Sequence, residues 1–154
     1  MEQREWVFES RLDEVHAAAA RVRAFCECMG FDEMALTSIE LCVYEAFVNV
    51  VEHAYGHHPD HEVWVRVRRL PDALRVWVCQ FGVPLDPALI AAVPSGFDDL
   101  PLDLDALECE PRSRGLRLIK ACMATVEVET EGDRACLVMT KPLPSAESGP
   151  IRVR

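Results

Sequence analysis

Apolar residues recur along the chain with two different periods, and the change from one to the other marks out its elements. Trp6 to Glu9 reads as a short extended piece. Ser10 and Asp13 then make a capping-box-like start, with Asp in place of the usual Glu. Leu12, Val15, Ala19, Val22, Cys26 and Met29 follow at helical spacing up to a natural stop at Gly30. A second helix is expected from Asp32 as N-cap to about Tyr55, with Phe31 and Leu36 placed as a hydrophobic staple and Gly56 at its end. Leu36, Ile39, Val43, Phe47 and Val50 form one stripe of it, while Leu41, Cys42 and Val48 lie elsewhere. That is the pattern of a central, well-buried helix.

The period then falls to two. Val63, Val65 and Val67 alternate with Trp64, Arg66 and Arg68, and Leu74, Val76 and Val78 alternate with Arg75, Trp77 and Cys79. Pro71-Asp72 lies in the short connection, so these strands should pair as an antiparallel hairpin. Asp86-Pro87 starts a short helix, and residues 94–111 read as a long loop or lid. A third helix is expected from about Arg114 to Met123. Val126 to Thr130, a turn at Gly132-Asp133, and Cys136 to Thr140 make a final hairpin. The order predicts an α+β two-layer sandwich: a mixed, mainly antiparallel sheet covered by helices on one face. Residues 1–143 are expected to form a single domain and residues 144–154 a flexible tail.

Composition narrows the function. The chain has 154 residues, half of them apolar, which is enough for one core and too apolar for a largely disordered chain. Its net charge of -10 repels phosphate backbones and argues against direct nucleic-acid binding as the main activity. The apolar runs are short and broken by charge, which argues against a membrane span. The charged N-terminus has no apolar segment behind it, so no signal peptide is expected. The seven cysteines are an odd count and read as reduced thiols of a cytoplasmic protein.

The segment from Glu45 to Tyr55 is the richest in chemistry. Glu45, Asn49 and His53 are four apart and therefore lie along one side of the second helix. Polar groups on an apolar helix need partners, so one reading is a buried hydrogen-bond network. The other is a magnesium and proton-transfer site, in which Asn49 supplies a neutral oxygen ligand and Glu45 accepts a proton from an attacking hydroxyl. His53, His57, His58 and His61 crowd near Asp60, but Gly56 and Pro59 interrupt any helix, so no fixed metal-ligand face is expected. Cys26 fits the core stripe, and Cys26-x-Cys28 lacks zinc or redox spacing. Trp64 and Trp77 share a strand face with Arg66, Arg68 and Arg75, as either cross-strand packing or a sticky patch for a partner, the patch being favoured.

The run Glu45-Ala-Phe-Val-Asn49-Val-Val-Glu-His53-Ala-Tyr55-Gly56 resembles the N-box of the anti-sigma-factor serine/threonine kinases, relatives of histidine kinases and DNA gyrase. Val78-Cys-Gln80-Phe-Gly82-Val-Pro-Leu-Asp-Pro87 resembles their first glycine box. Arg114-Gly115-Leu116-Arg117-Leu-Ile119 resembles the second, and Cys136-Leu-Val-Met-Thr140-Lys141 resembles their closing strand. All four stand in order, and the resemblance runs through nearly the whole chain. It implies a Bergerat-type, histidine-kinase-like ATP fold with ATP and Mg2+ as cofactors. Asn49 would be the magnesium ligand and Glu45 the catalytic base. His53, Gln80, Gly82, Arg114, Gly115, Leu116 and Thr140 would contact nucleotide, with Gly115 and Leu116 offering backbone N–H groups at a helix N-terminus. The implied reaction phosphorylates an anti-anti-sigma factor. A sigma factor competes with that partner for the kinase, which is commonly a homodimer.

Two departures support a rival of another class, a non-catalytic anti-sigma binding module without strong ATP binding. Gln80 stands where the family carries an Asp that reads the adenine amino group. The lid is rich in acids, with Asp98, Asp99, Asp103, Asp105, Glu108 and Glu110 preceding Arg112.

Overall fold

A computed structural model describes residues 2–98 and 111–144. Most of the expected lid, with its acids beyond Asp98, lies outside the described residues, as does the tail beyond residue 144. The elements are β1 (Gln3–Glu9), α1 (Val15–Cys26), α2 (Glu33–Asn49), β2 (Glu62–Arg69), β3 (Ala73–Gln80), α3 (Pro87–Ala92), α4 (Pro111–Cys122), β4 (Thr125–Glu131) and β5 (Arg134–Pro142). The strands form one sheet in the order β1-β2-β3-β5-β4. Every pairing is antiparallel, so the expected mixed sheet has no parallel part among the described residues.

Strand alternation sets the two layers. Val63, Val65, Val67, Leu74, Val76, Val78, Leu137 and Met139 face inward and join Val15, Ala19, Val22, Ile39, Val43, Phe47, Leu116 and Ile119 in the main core. Burying such side chains contributes about 1.5–3 kcal/mol each, which makes this layer the main source of stability. Asp32 caps α2 as expected, its carboxylate accepting from the Ala35 N–H at 2.8 Å. Asp86 does the same for α3, accepting from Ala88 N–H at 2.9 Å.

Several local expectations are corrected. Ser10 does not cap α1: a 3-10 turn at Leu12–Glu14 precedes the helix, and Ser10 Oγ instead donates to the His58 carbonyl. Leu12 is exposed as a result. The second helix leaves α geometry after Asn49 and closes through a π-helical turn, Val50–Ala54. With that turn it reaches 22 residues, Glu33–Ala54, which is long and apolar enough by length and composition to cross a membrane. Its stripe is, however, packed into the protein core.

The sheet's outer face corrects two further expectations. Cys79 and Cys136 are register partners on β3 and β5 and are joined by a disulfide, so these two are not reduced thiols. Cys26, Cys28, Cys42 and Cys122 are free. Burial pushes the Cys26 thiol up to about 12, in keeping with a packing role. Trp77 is buried beside the disulfide, with the guanidinium groups of Arg68, Arg66 and Arg75 at 5.3, 5.5 and 5.9 Å from its ring. Such cation–π stacks shield the indole, so Trp77 is cross-strand packing and not a sticky patch.

Candidate functional site

A cleft open to solvent at its mouth lies between the end of α2, strands β3 and β5, and the start of α4. Val78, Leu137, Ala135, Val83, Leu85 and Val128 supply apolar walls, and Asn49, His53, Gln80 and Arg112 supply the polar groups. The α2 spacing brings Asn49 and His53 to it together. Two side-chain nitrogens of its lining residues, Asn49 Nδ2 and Arg112 Nε, are buried with no hydrogen-bond partner among the described residues. Leaving such groups unsatisfied costs about 1–3 kcal/mol each, which favours a polar partner for them at this cleft.

Glu45 stands one turn before Asn49 and is half-buried against α4. A Cβ built on Gly115 would lie 2.7 Å from Glu45 Oε2, so the carboxylate keeps this position against α4 because residue 115 is glycine, and a larger residue would push its end aside. Burial pushes the Glu45 carboxyl above its usual range; nearby Arg114 opposes the shift and Glu52 adds to it. A carboxylate held this way is a better proton acceptor than a free one near neutral pH.

The turn after β3 is held from two sides. Gln80 Oε1 accepts from the Gly82 N–H, and Gln80 Nε2 donates to the Val83 carbonyl at 2.9 Å. From the other side, Tyr55 Oη accepts from Phe81 N–H at 2.8 Å while donating to the Glu62 carbonyl at 2.7 Å. The Val83 N–H reaches the Ala54 carbonyl at 3.1 Å. Gly82 packs so tightly on the π-helical turn that an added Cβ would meet Ala54 O at 2.4 Å. Gln80 is 5% exposed, and abandoning its two bonds would orphan two backbone groups at about 1–3 kcal/mol each, against roughly 0.5–1.5 kcal/mol for one new neutral bond. The side chain therefore stays on its turn.

Sequence comparison decides the family. The chain matches the histidine kinase-like ATPase domain family over residues 8–141. It belongs to that family. The match covers nearly every described element of the α+β sandwich. No curated protein matches the chain in sequence. Among solved structures, a chain of the SiaB–SiaC complex from Pseudomonas aeruginosa is similar in fold at a TM-score of 0.53 and 12% identity. The match covers 90% of this chain and 89% of that one.

Within this ATPase domain the expected site residues separate. Asn49, His53 and Gln80 line the cleft; Glu45 and Arg114 do not, and Glu45 instead meets α4 at Gly115. Gly82 shapes the turn rather than facing the cleft as a lining residue. Gly115 and Leu116 are corrected: α4 begins at Pro111, so both lie in its second turn, and Leu116 is fully buried. The helix N-terminus is made instead by the turn carrying Arg112, Ser113 and Arg114. Thr140 is also corrected, because it pairs with Arg75 on the outer face and its hydroxyl accepts from Arg75 Nε at 3.3 Å. Arg112 and the apolar walls Val78 and Leu137 were not singled out as site residues by sequence. A proline at position 111, the favoured first residue of a helix, was the available sign that α4 starts before Arg114. Among the described residues no three His, Cys, Asp or Glu side chains come together to hold a metal, the histidines after Asn49 included.

Proposed function

We propose that this protein is a serine/threonine protein kinase of the anti-sigma, partner-switching kind, acting in the cytoplasm on MgATP. The observation that carries the proposal is a cleft with apolar walls whose lining residues Asn49 and Arg112 each hold a buried nitrogen, Nδ2 and Nε, unpartnered among the described residues. A purine can lie against Val78 and Leu137, which stand side by side on β3 and β5, with its phosphates toward Asn49 and the first turn of α4. There Arg112, Arg114 and the helix dipole all favour negative charge. Asn49 is suited to hold Mg2+ through its amide oxygen, as one ligand of a shell completed by phosphate and water, since no all-protein metal cage exists among the described residues. Bound there, magnesium neutralises charge on the phosphate oxygens.

Glu45 is the proposed base. Arg114 steadies the charged carboxylate, which accepts the proton of a serine or threonine hydroxyl as that oxygen bonds to the γ-phosphorus, the bond to the β-phosphate oxygen breaks and ADP leaves. The proposed acceptor is an anti-anti-sigma factor, with a sigma factor as the competing ligand and a homodimer as the working unit. Fold similarity to a chain of the SiaB–SiaC complex supports a protein partner.

The rival, a non-catalytic binding module, draws support from the Gln80 amide, which is neutral and engaged by its own turn. Calorimetric titration with ATP, with and without magnesium, separates the two. The kinase reading expects magnesium-dependent binding that weakens about ten- to a hundredfold in Asn49→Ala. Absence of heat at millimolar nucleotide would leave the binding module.

A further inference from the structure

Resting on the nucleotide reading above, we infer that the cleft takes purine nucleoside triphosphates without choosing between a 6-amino and a 6-oxo base, and that Gln80 sets this tolerance. The orientation of its amide follows from its partners. Oε1 faces the Gly82 N–H and Nε2 faces the Val83 carbonyl, so the flipped amide would set oxygen against oxygen and NH2 against N–H. The turn cannot shift to release the side chain, because Phe81 N–H is fixed to Tyr55 and Val83 N–H to Ala54. A side chain at position 82 would collide with the Ala54 carbonyl, so the turn lies close on the π-helical turn.

After these bonds are made, each amide atom keeps one hydrogen-bonding function: a second N–H on Nε2 and a second lone pair on Oε1. Gln80 lies among the apolar walls, with Val78, Val83, Ala135 and Leu137, so it is the polar group nearest the place for a flat base. The other polar lining groups, Asn49, His53 and Arg112, come from α2 with its π-helical turn and from α4. A 6-amino purine can donate to the remaining lone pair, and a 6-oxo purine can accept from the remaining N–H. A carboxylate at this position could only accept and would favour the 6-amino base. The neutral amide, tied to its turn, has no such bias.

Inosine triphosphate is the suitable probe, because it differs from ATP only in the 6-oxo group and the proton on N1. Calorimetric titration of the full chain with each magnesium nucleotide should give dissociation constants within about tenfold of one another, a difference under roughly 1.4 kcal/mol. Gln80→Glu keeps the length and the Gly82 contact but removes the donor, and should raise the preference for ATP by at least about tenfold. Gln80→Asp should shift the preference the same way and serves if the glutamate variant is misfolded by circular dichroism. A wild-type preference for ATP above roughly a hundredfold overturns this inference alone and leaves the kinase reading standing. A ratio unchanged in folded Gln80→Glu also overturns it, since the selector would lie elsewhere. Failure of both nucleotides to bind overturns the inference and the nucleotide reading together.

Discussion

Glu45 is charged for its proposed chemistry in a place that resists charge. Its carboxyl is raised above the ordinary 4.5, first by burial and then by Glu52, with Arg114 opposing. A folded-state value above the unfolded one favours the protonated form. The stability it contributes is therefore present below the unfolded value and is lost as pH rises through the raised one. Glu45→Gln should accordingly be more stable than the wild type at pH 7, and the gain should vanish below about pH 4 in denaturant melts. The same substitution should lower phosphoryl transfer about 10²–10⁴-fold while nucleotide binding persists, and wild-type transfer should rise with pH through a value above 4.5. Gly115→Ala separates fold from chemistry. In a helix interior alanine is worth up to about 1 kcal/mol over glycine, but here its Cβ would push on the end of the Glu45 side chain at 2.7 Å. Thermal stability should hold or rise while transfer falls, and parallel losses in both would contradict this placement. At this scale the sequence showed Glu45, Asn49 and His53 on one helix side because four-residue spacing is local. Arg112 was hidden because its approach to Asn49 depends on packing between α2 and α4.

The elements show where local reasoning ends. Strands β2 and β3 were legible almost to the residue, since alternation against a buried face leaves little freedom. Register between β3 and β5 was not, because a long intervening segment and α4 separate them. The Cys79–Cys136 disulfide depends on that register and was therefore read as two thiols. It closes a sequence separation of 57 residues, and reduction, or Cys79→Ser with Cys136→Ser, should cost about 2–4 kcal/mol in equilibrium unfolding. An unchanged melt after complete reduction would mean that Trp77 and its arginines hold the strands without it. The start of α4 was misplaced for a related reason: its arginine-rich first turn has no apolar stripe to announce it. Once formed, α4 anchors its neighbours, with Lys120 Nζ donating to the Ile90 and Val93 carbonyls at 2.7 and 2.6 Å. Arg117 donates to the Gly96 carbonyl at 3.0 Å. The root of the segment after α3 thus moves with the helix that carries Arg112 and Arg114.

For the whole molecule, the sandwich follows from the strand and helix order, and the family match spans the same elements. A chain of net charge -10 keeps arginines at one helix end beside its cleft, which makes that end a local exception able to receive phosphates. The electrostatic part of such binding should weaken with added salt. The central claim is that Asn49, Gln80 and the first turn of α4 enclose one nucleotide within reach of Glu45. A crystal structure of the protein with magnesium and a non-hydrolysable ATP analogue tests it most directly. The expected complex has the purine lying against Val78 and Leu137 beside Gln80, magnesium on the Asn49 amide oxygen, phosphates against Arg112, and the γ-phosphate facing Glu45. Nucleotide bound elsewhere, or a cleft left empty at saturating analogue, would contradict it.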